Sequence, residues 1–132
     1  MKLLSIIFLI LIFTSCSDKI ISTKSGLKYI ILEKGKGITT KVGDEVFIYE
    51  TTSYRNGTVL YSNYNSTLPV KVLIGGNQAT EAVDEGLRGM KIGEIRELTA
   101  PHYLVKRKSY PENVSPDSTL VIKIKLDRIE RK

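Results

Sequence analysis

At 132 residues the chain is long enough for one compact domain and short for two. Hydrophobic residues at 42% against charged residues at 26% are the balance of a folded soluble domain, not of a disordered segment. The net charge of +6 is scattered rather than gathered on one element between aromatics, which argues against nucleic acid as a partner, and the single cysteine (Cys16) and single histidine (His102) leave no internal disulfide and little basis for a metal centre.

The chain begins Met1-Lys2 and then runs almost wholly apolar through residues 3–13. That run is too short for a membrane-spanning helix, which needs ~20 residues. It fits the apolar region of a secretory signal. The small residues Thr14 and Ser15 then lead directly into Cys16. This ending resembles the lipobox of bacterial lipoproteins, with Phe13 where Leu is usual. The resemblance implies a signal peptide over residues 1–15, removed before Cys16, whose sulfur then carries a diacylglycerol. An ordinary signal peptide or an uncleaved anchor are the alternatives. Several acyl chains on one residue give stable anchoring. Residues 16–25 are polar and rich in Ser and Thr, as in a tether, with Ile20-Ile21 able to dock on the domain that follows.

Residues 26–32 read as a first strand, closed by a turn containing Gly35 and Gly37. After the turn Val42-Gly43-Asp44, residues 45–54 carry Val, Phe, Ile, Tyr and Thr, which favour a strand. Asn56-Gly57 is the strongest short hairpin signal, so residues 59–62 are the return strand. A polar loop over 63–68 precedes another strand, opened by Pro69 and spanning residues 70–74. Ala79, Ala82, Val83, Leu87 and Met90 then recur at helical spacing, with Glu81, Asp84, Glu85 and Arg88 on the other face. This predicts one short helix ending near Gly89. Lys91-Ile92-Gly93 turns the chain into a strand over 94–98. Residues 101–116 form a long loop with three prolines, a length that usually marks function in a small domain. Leu120, Ile122, Ile124 and Leu126 alternate with Val121, Lys123, Lys125 and Asp127 in the clearest strand of all. The expected architecture is α+β: a twisted antiparallel sheet of about five to six strands wrapped on one short helix.

Four segments, in order, resemble the FKBP-type peptidyl-prolyl cis-trans isomerases. They are Ser25-Gly26-Leu27-Lys28-Tyr29 with the glycine turn after it, Val42-Gly43-Asp44-Glu45-Val46 leading to Tyr49, the stretch from Ala82 through Met90 to Glu94, and Ala100-Pro101-His102-Tyr103 with the closing strand. The resemblance implies an FKBP-like domain over residues 26–132. It implies catalysis by a dry apolar pocket, with no nucleophile and no cofactor.

By that resemblance Tyr49 is the pocket tyrosine, and Thr80 supplies the backbone N–H that holds a substrate carbonyl. Leu60 and Val70 stand where Phe is usual or common, Tyr61 where Asp is usual, and Ala79 beside Thr80 approaches the substrate. Val83 stands at a floor position that is often Trp, Val105 replaces a loop tyrosine, and Ile122 replaces a Phe. Tyr103, two residues before Val105, is able to substitute for that loop tyrosine. Blunter readings stand beside these: Tyr49 as a core residue, His102 as a loop residue, and the three Asn-x-Ser/Thr sequons as chance. Two functions fit the pattern. One is a weakly active isomerase that assists folding of exported proteins from a lipid-anchored, periplasm-facing position. The other is an FKBP-fold chaperone or binding module that holds client segments. The expected partners are proline-containing unfolded or exported proteins and the membrane, with the protein itself a monomer and no metal involved.

Overall fold

A computed structural model of the chain describes residues 18–132. The expected signal peptide and Cys16 lie outside the described residues. Among those described, no helix is long and apolar enough to cross a membrane. The chain folds as β1 (Ile21–Ser22), β2 (Lys28–Glu33), β3 (Lys36–Thr39), β4 (Glu45–Tyr54), β5 (Val59–Ser62), β6 (Val70–Leu73), α1 (Glu81–Leu87), β7 (Lys91–Ile92), β8 (Ile95–Ala100) and β9 (Leu120–Glu130). A single 3₁₀ turn follows β8 at His102–Leu104. This is the expected α+β arrangement, an antiparallel sheet with one short helix.

The main sheet runs β1-β2-β8-β9-β4-β5, with β6 also paired to β4. Seven strands thus replace the expected five to six. The extra one is β1, cut from the segment read as a tether: Ile21 pairs with Tyr29 and Ser22 with Lys28. Ile21 is half-buried there, whereas Ile20 stays exposed. The segments read as glycine turns hold a second departure, since β3 and β7 pair into a separate two-stranded ribbon. Both strands are short and solvent-exposed, so neither shows the alternation that marks a half-buried strand.

Alternation does set the core. Val46 and Ile48 of β4, Leu98 and Ala100 of β8, and Leu120, Ile122, Ile124 and Leu126 of β9 all point to one face and are buried. Against that face lie Ala82, Val83 and Leu87 of α1. The helix starts after Thr80 and stops at Arg88, inside the predicted 79–89. Gly86 faces the sheet so closely that a Cβ there would run into the Leu98 side chain.

The helix has only two turns and no basic residue in its last turn. Its terminal carbonyls are served from elsewhere. Arg96 of β8, 4% exposed, donates to Gly86 O at 3.3 Å, Arg88 O at 2.9 Å and Gly89 O at 3.0 Å. Its Nε pairs with the equally buried Glu94, and its guanidinium lies over the Tyr29 ring, 4.6 Å from the centroid. Thr40 Oγ1 donates to Leu87 O and accepts the Met90 N–H. The carbonyls a helix leaves orphaned at its end are thereby satisfied in a buried setting.

β5 and β6 flank the same edge of β4 and leave a gap between them: β6 pairs with Glu45 to Ile48, β5 with Thr51 to Ser53. Asn63 fills it. Its Oδ1 accepts the Glu50 N–H at 2.6 Å, its Nδ2 donates to Ile48 O at 3.2 Å, and its own N–H donates to Glu50 O at 3.1 Å. One side chain thus stands in for the missing piece of strand.

Candidate functional site

The opening of α1, the β5–β6 edge and the long loop after β8 enclose a cavity of about 580 Å³. Its apolar wall is Leu60, Val70, Val72, Ala79, Val83 and Leu120. Among the described residues Tyr61 is the one aromatic that lines it. The loop that closes the far side is pinned by Tyr54, whose hydroxyl donates to Asn113 O at 2.7 Å and accepts the Ser115 N–H at 2.8 Å. Asn113 Nδ2 donates in turn to Leu60 O at 3.4 Å. These bonds bring Pro111, Asn113 and Val114 to the cavity.

Thr80 lies at the entrance to α1 in extended conformation, with φ −63° and ψ 157°. It is the residue before the first helical turn, where backbone N–H groups have no intrahelical acceptor. Among the described residues Thr80 N–H makes no hydrogen bond. Its Oγ1 is buried without a partner and does not cap the helix. A donor at the wall of an otherwise apolar cavity can take the carbonyl of a bound chain.

Of the residues read from sequence as a site, six line this cavity together: Leu60, Tyr61, Val70, Ala79, Thr80 and Val83. Four do not. Tyr49 lies on the other face of β4, where its ring meets Tyr64 at 6.2 Å between centroids. Strand side chains alternate, so a shift of one residue exchanges faces. The residue on the cavity side is Glu50, in step with Val46, Ile48 and Thr52. Tyr103 does not swing in; its hydroxyl donates to Ser25 O at 2.9 Å and fastens the loop to the start of β2. Val105 and Ile122 are buried in the core, and Leu120, two residues along the same face of β9, takes the place at the cavity wall.

Glu50 is the chemical surprise of the site. Burial pushes its carboxyl above the usual range, while the hydrogen bond from Thr52 Oγ1 to Oε1 at 2.9 Å and the charge of Arg107 pull it back. The period-two pattern of β4 carried this information, because Glu50 shares its parity with the buried Val46 and Ile48. The other residues missed from sequence are Lys106, Arg107 and Lys108, exposed on the loop and lining the cavity mouth. Only their place in a long loop marked them. Among the described residues no group of His, Cys, Asp and Glu is placed to hold a metal ion.

Comparison with known proteins bears on this geometry. The family model for FKBP-type peptidyl-prolyl cis-trans isomerase matches residues 36–127. FK506-binding protein 1 of Dictyostelium discoideum is 30% identical over 102 residues, which cover 76% of this chain and 95% of that protein. FKBP10 of Mus musculus is 31% identical over 88 residues, 67% of this chain, and there the match spans only 15% of the relative's length. Among solved structures, FkpA from Escherichia coli superposes with a TM-score of 0.74 at 26% identity, over 85% of this chain and 52% of that one.

Proposed function

Because the chain belongs to the FKBP-type peptidyl-prolyl cis-trans isomerase family, we propose that it is itself a peptidyl-prolyl cis-trans isomerase of low turnover. Its clients are proline-containing exported proteins, and it meets them at the membrane. The observation that carries this reading is the apolar cavity with the unpartnered Thr80 N–H at its wall.

Rotation about an X-Pro bond faces a barrier of ~18–20 kcal/mol because the planar amide is conjugated. At the twisted transition state that conjugation is lost, and the carbonyl loses polarity while the nitrogen becomes pyramidal. A cavity of apolar side chains takes the proline ring, and the Thr80 N–H fixes a carbonyl of the client. Stabilisation need only be greater for the twisted form than for the planar one. No proton is transferred and no cofactor is required by this route. Leu60, Val70 and Val83 give a wider wall than aromatic rings would, so the grip on a proline ring is loose and turnover is low.

Position at the membrane is supported by the apolar run before Thr14-Ser15-Cys16. A lipid on Cys16 would hold the domain facing the periplasm. Replacing Cys16 with Ser should remove the lipid mass and release the protein from the membrane pellet; an unmodified, soluble wild-type chain would refute the anchor.

The activity is tested by protease-coupled isomerisation of a proline-containing peptide. A rate above the spontaneous one, insensitive to chelators, is the expected result. One observation favours a second reading, a chaperone or binding module without turnover: Tyr61 is alone as an aromatic wall in a lining that also holds the Glu50 carboxyl group. A domain that suppresses aggregation of an unfolded client with no gain in isomerisation would establish that reading instead.

A further inference from the structure

The cavity is unevenly charged. Lys106, Arg107 and Lys108 are consecutive, exposed and all line its mouth. Among the described residues none of the three is in an ion pair. The acids of the first helical turn line a separate depression beside α1 rather than this cavity: Glu81 lies there, as does Asp84, which accepts from Arg88 at 2.7 Å and from the Gly75 N–H at 2.7 Å. Among the described residues the only carboxyl group in the cavity wall is Glu50, half-buried and held by Thr52. A client entering this mouth therefore passes three cations that make no ion pair among the described residues, with one recessed carboxyl group behind them. The segment that carries the cations is held in place by Tyr54 and by the bond from Arg107 N–H to the Tyr110 hydroxyl at 3.3 Å.

We propose that Lys106, Arg107 and Lys108 are specificity-determining residues that select client segments with an acidic side chain beside the proline. The inference deepens the isomerase reading and rests on it for the identity of the occupant, a proline-containing segment. The client carboxylate lies against the basic strip while the proline ring enters the apolar wall. Glu50 is its intramolecular rival for Arg107, the cation whose charge reaches it.

The test compares tetrapeptides that differ only in the residue before proline, Glu or Lys, with the full chain. Both isomerisation and binding, by fluorescence anisotropy of the labelled peptides, are measured. An exposed ion pair changes affinity by up to about fivefold, so a Glu-Pro peptide should be preferred over Lys-Pro by a few-fold, up to about fivefold, at low salt. The preference should shrink as salt rises toward 0.5 M, on the order of a 4 Å screening length. Joint replacement of Lys106, Arg107 and Lys108 with Ala should abolish it, and these exposed positions tolerate such changes without unfolding. Glu50→Gln should enlarge it.

Equal binding of the two peptides, or a preference unchanged in the triple variant, overturns the proposal. So does loss of binding to phosphatidylglycerol vesicles in the triple variant without any peptide preference in the parent, which would assign the strip to a lipid surface. Preferential binding of Glu-Pro with no isomerisation of any peptide sustains the selectivity and removes only the catalytic reading.

Discussion

Two carboxyl groups in this domain respond to pH in opposite senses. Asp44, 1% exposed, accepts two hydrogen bonds from Arg131 at 2.8 Å each and one from the Lys41 N–H at 2.9 Å. The Arg131 hydrogen bond is the main reason its pKa falls to about 2 from an ordinary 3.8; burial opposes it. Its folded-state pKa is depressed, so the stability it contributes is complete above about pH 3.8 and is lost as pH falls toward 2. Thermal melts between pH 5 and 2 should show this decline, and Asp44→Asn should flatten it; parallel curves would mean that the pair contributes nothing. Glu50 works the other way. Burial raises its pKa above the usual 4.5, so the folded chain keeps a proton that the unfolded chain has shed. Stability therefore falls as pH rises from 4.5 through the raised value. Glu50→Gln should raise the melting temperature at pH 7 and leave it nearly unchanged at pH 4. A lower melting temperature at pH 7 would show that the carboxylate is held by more than Thr52 and Arg107.

At the level of elements, the helix shows what kind of information a sequence holds. Its apolar stripe was legible because Ala82, Val83 and Leu87 recur at helical spacing, and all three are buried. The reason for Gly86 was not legible. Within a short helix a glycine reads as a weakness, yet here the closeness of α1 to β8 leaves no room for a methyl group. Gly86→Ala should improve local helix propensity and still destabilise the protein by about 1–3 kcal/mol through overpacking against Leu98. Denaturant midpoints measure this; a more stable variant would mean that Leu98 can rotate aside. The cavity follows the same division. The family resemblance named six of its residues, and hairpin, strand and helix signals placed them in their elements. Tyr49 was assigned by the family resemblance, and the one-residue alternation along β4 puts its neighbour Glu50 on the cavity side instead. Arg96 had no signal at all: nothing in Glu94-Ile95-Arg96 foretells that the guanidinium will turn inward to close a helix ten residues away in the chain. That role exists only once β8 is packed under α1.

Across the whole molecule, β9 holds the sheet together. It pairs with β8 on one side and with β4 on the other, with register running from Tyr54 opposite Leu120 to Glu45 opposite Glu130. The strands it joins are far apart in sequence, so the contacts that define the fold are non-local and folding is expected to be slow for so small a domain. Ending the chain after Thr119 would leave β4 and β8 without a common neighbour, and would also strip Leu120 from the cavity wall. Such a truncation should give a disordered circular dichroism spectrum, whereas a retained sheet signal would show that the two halves can pair directly.

The position of β9 also sets a clock. A polypeptide made from its N-terminus offers its strands one at a time, and here the keystone is the last of the described strands. Until residue 130 has emerged, β4 and β8 lack the neighbour that joins them. The sheet is then expected to close when that final strand is free to pair.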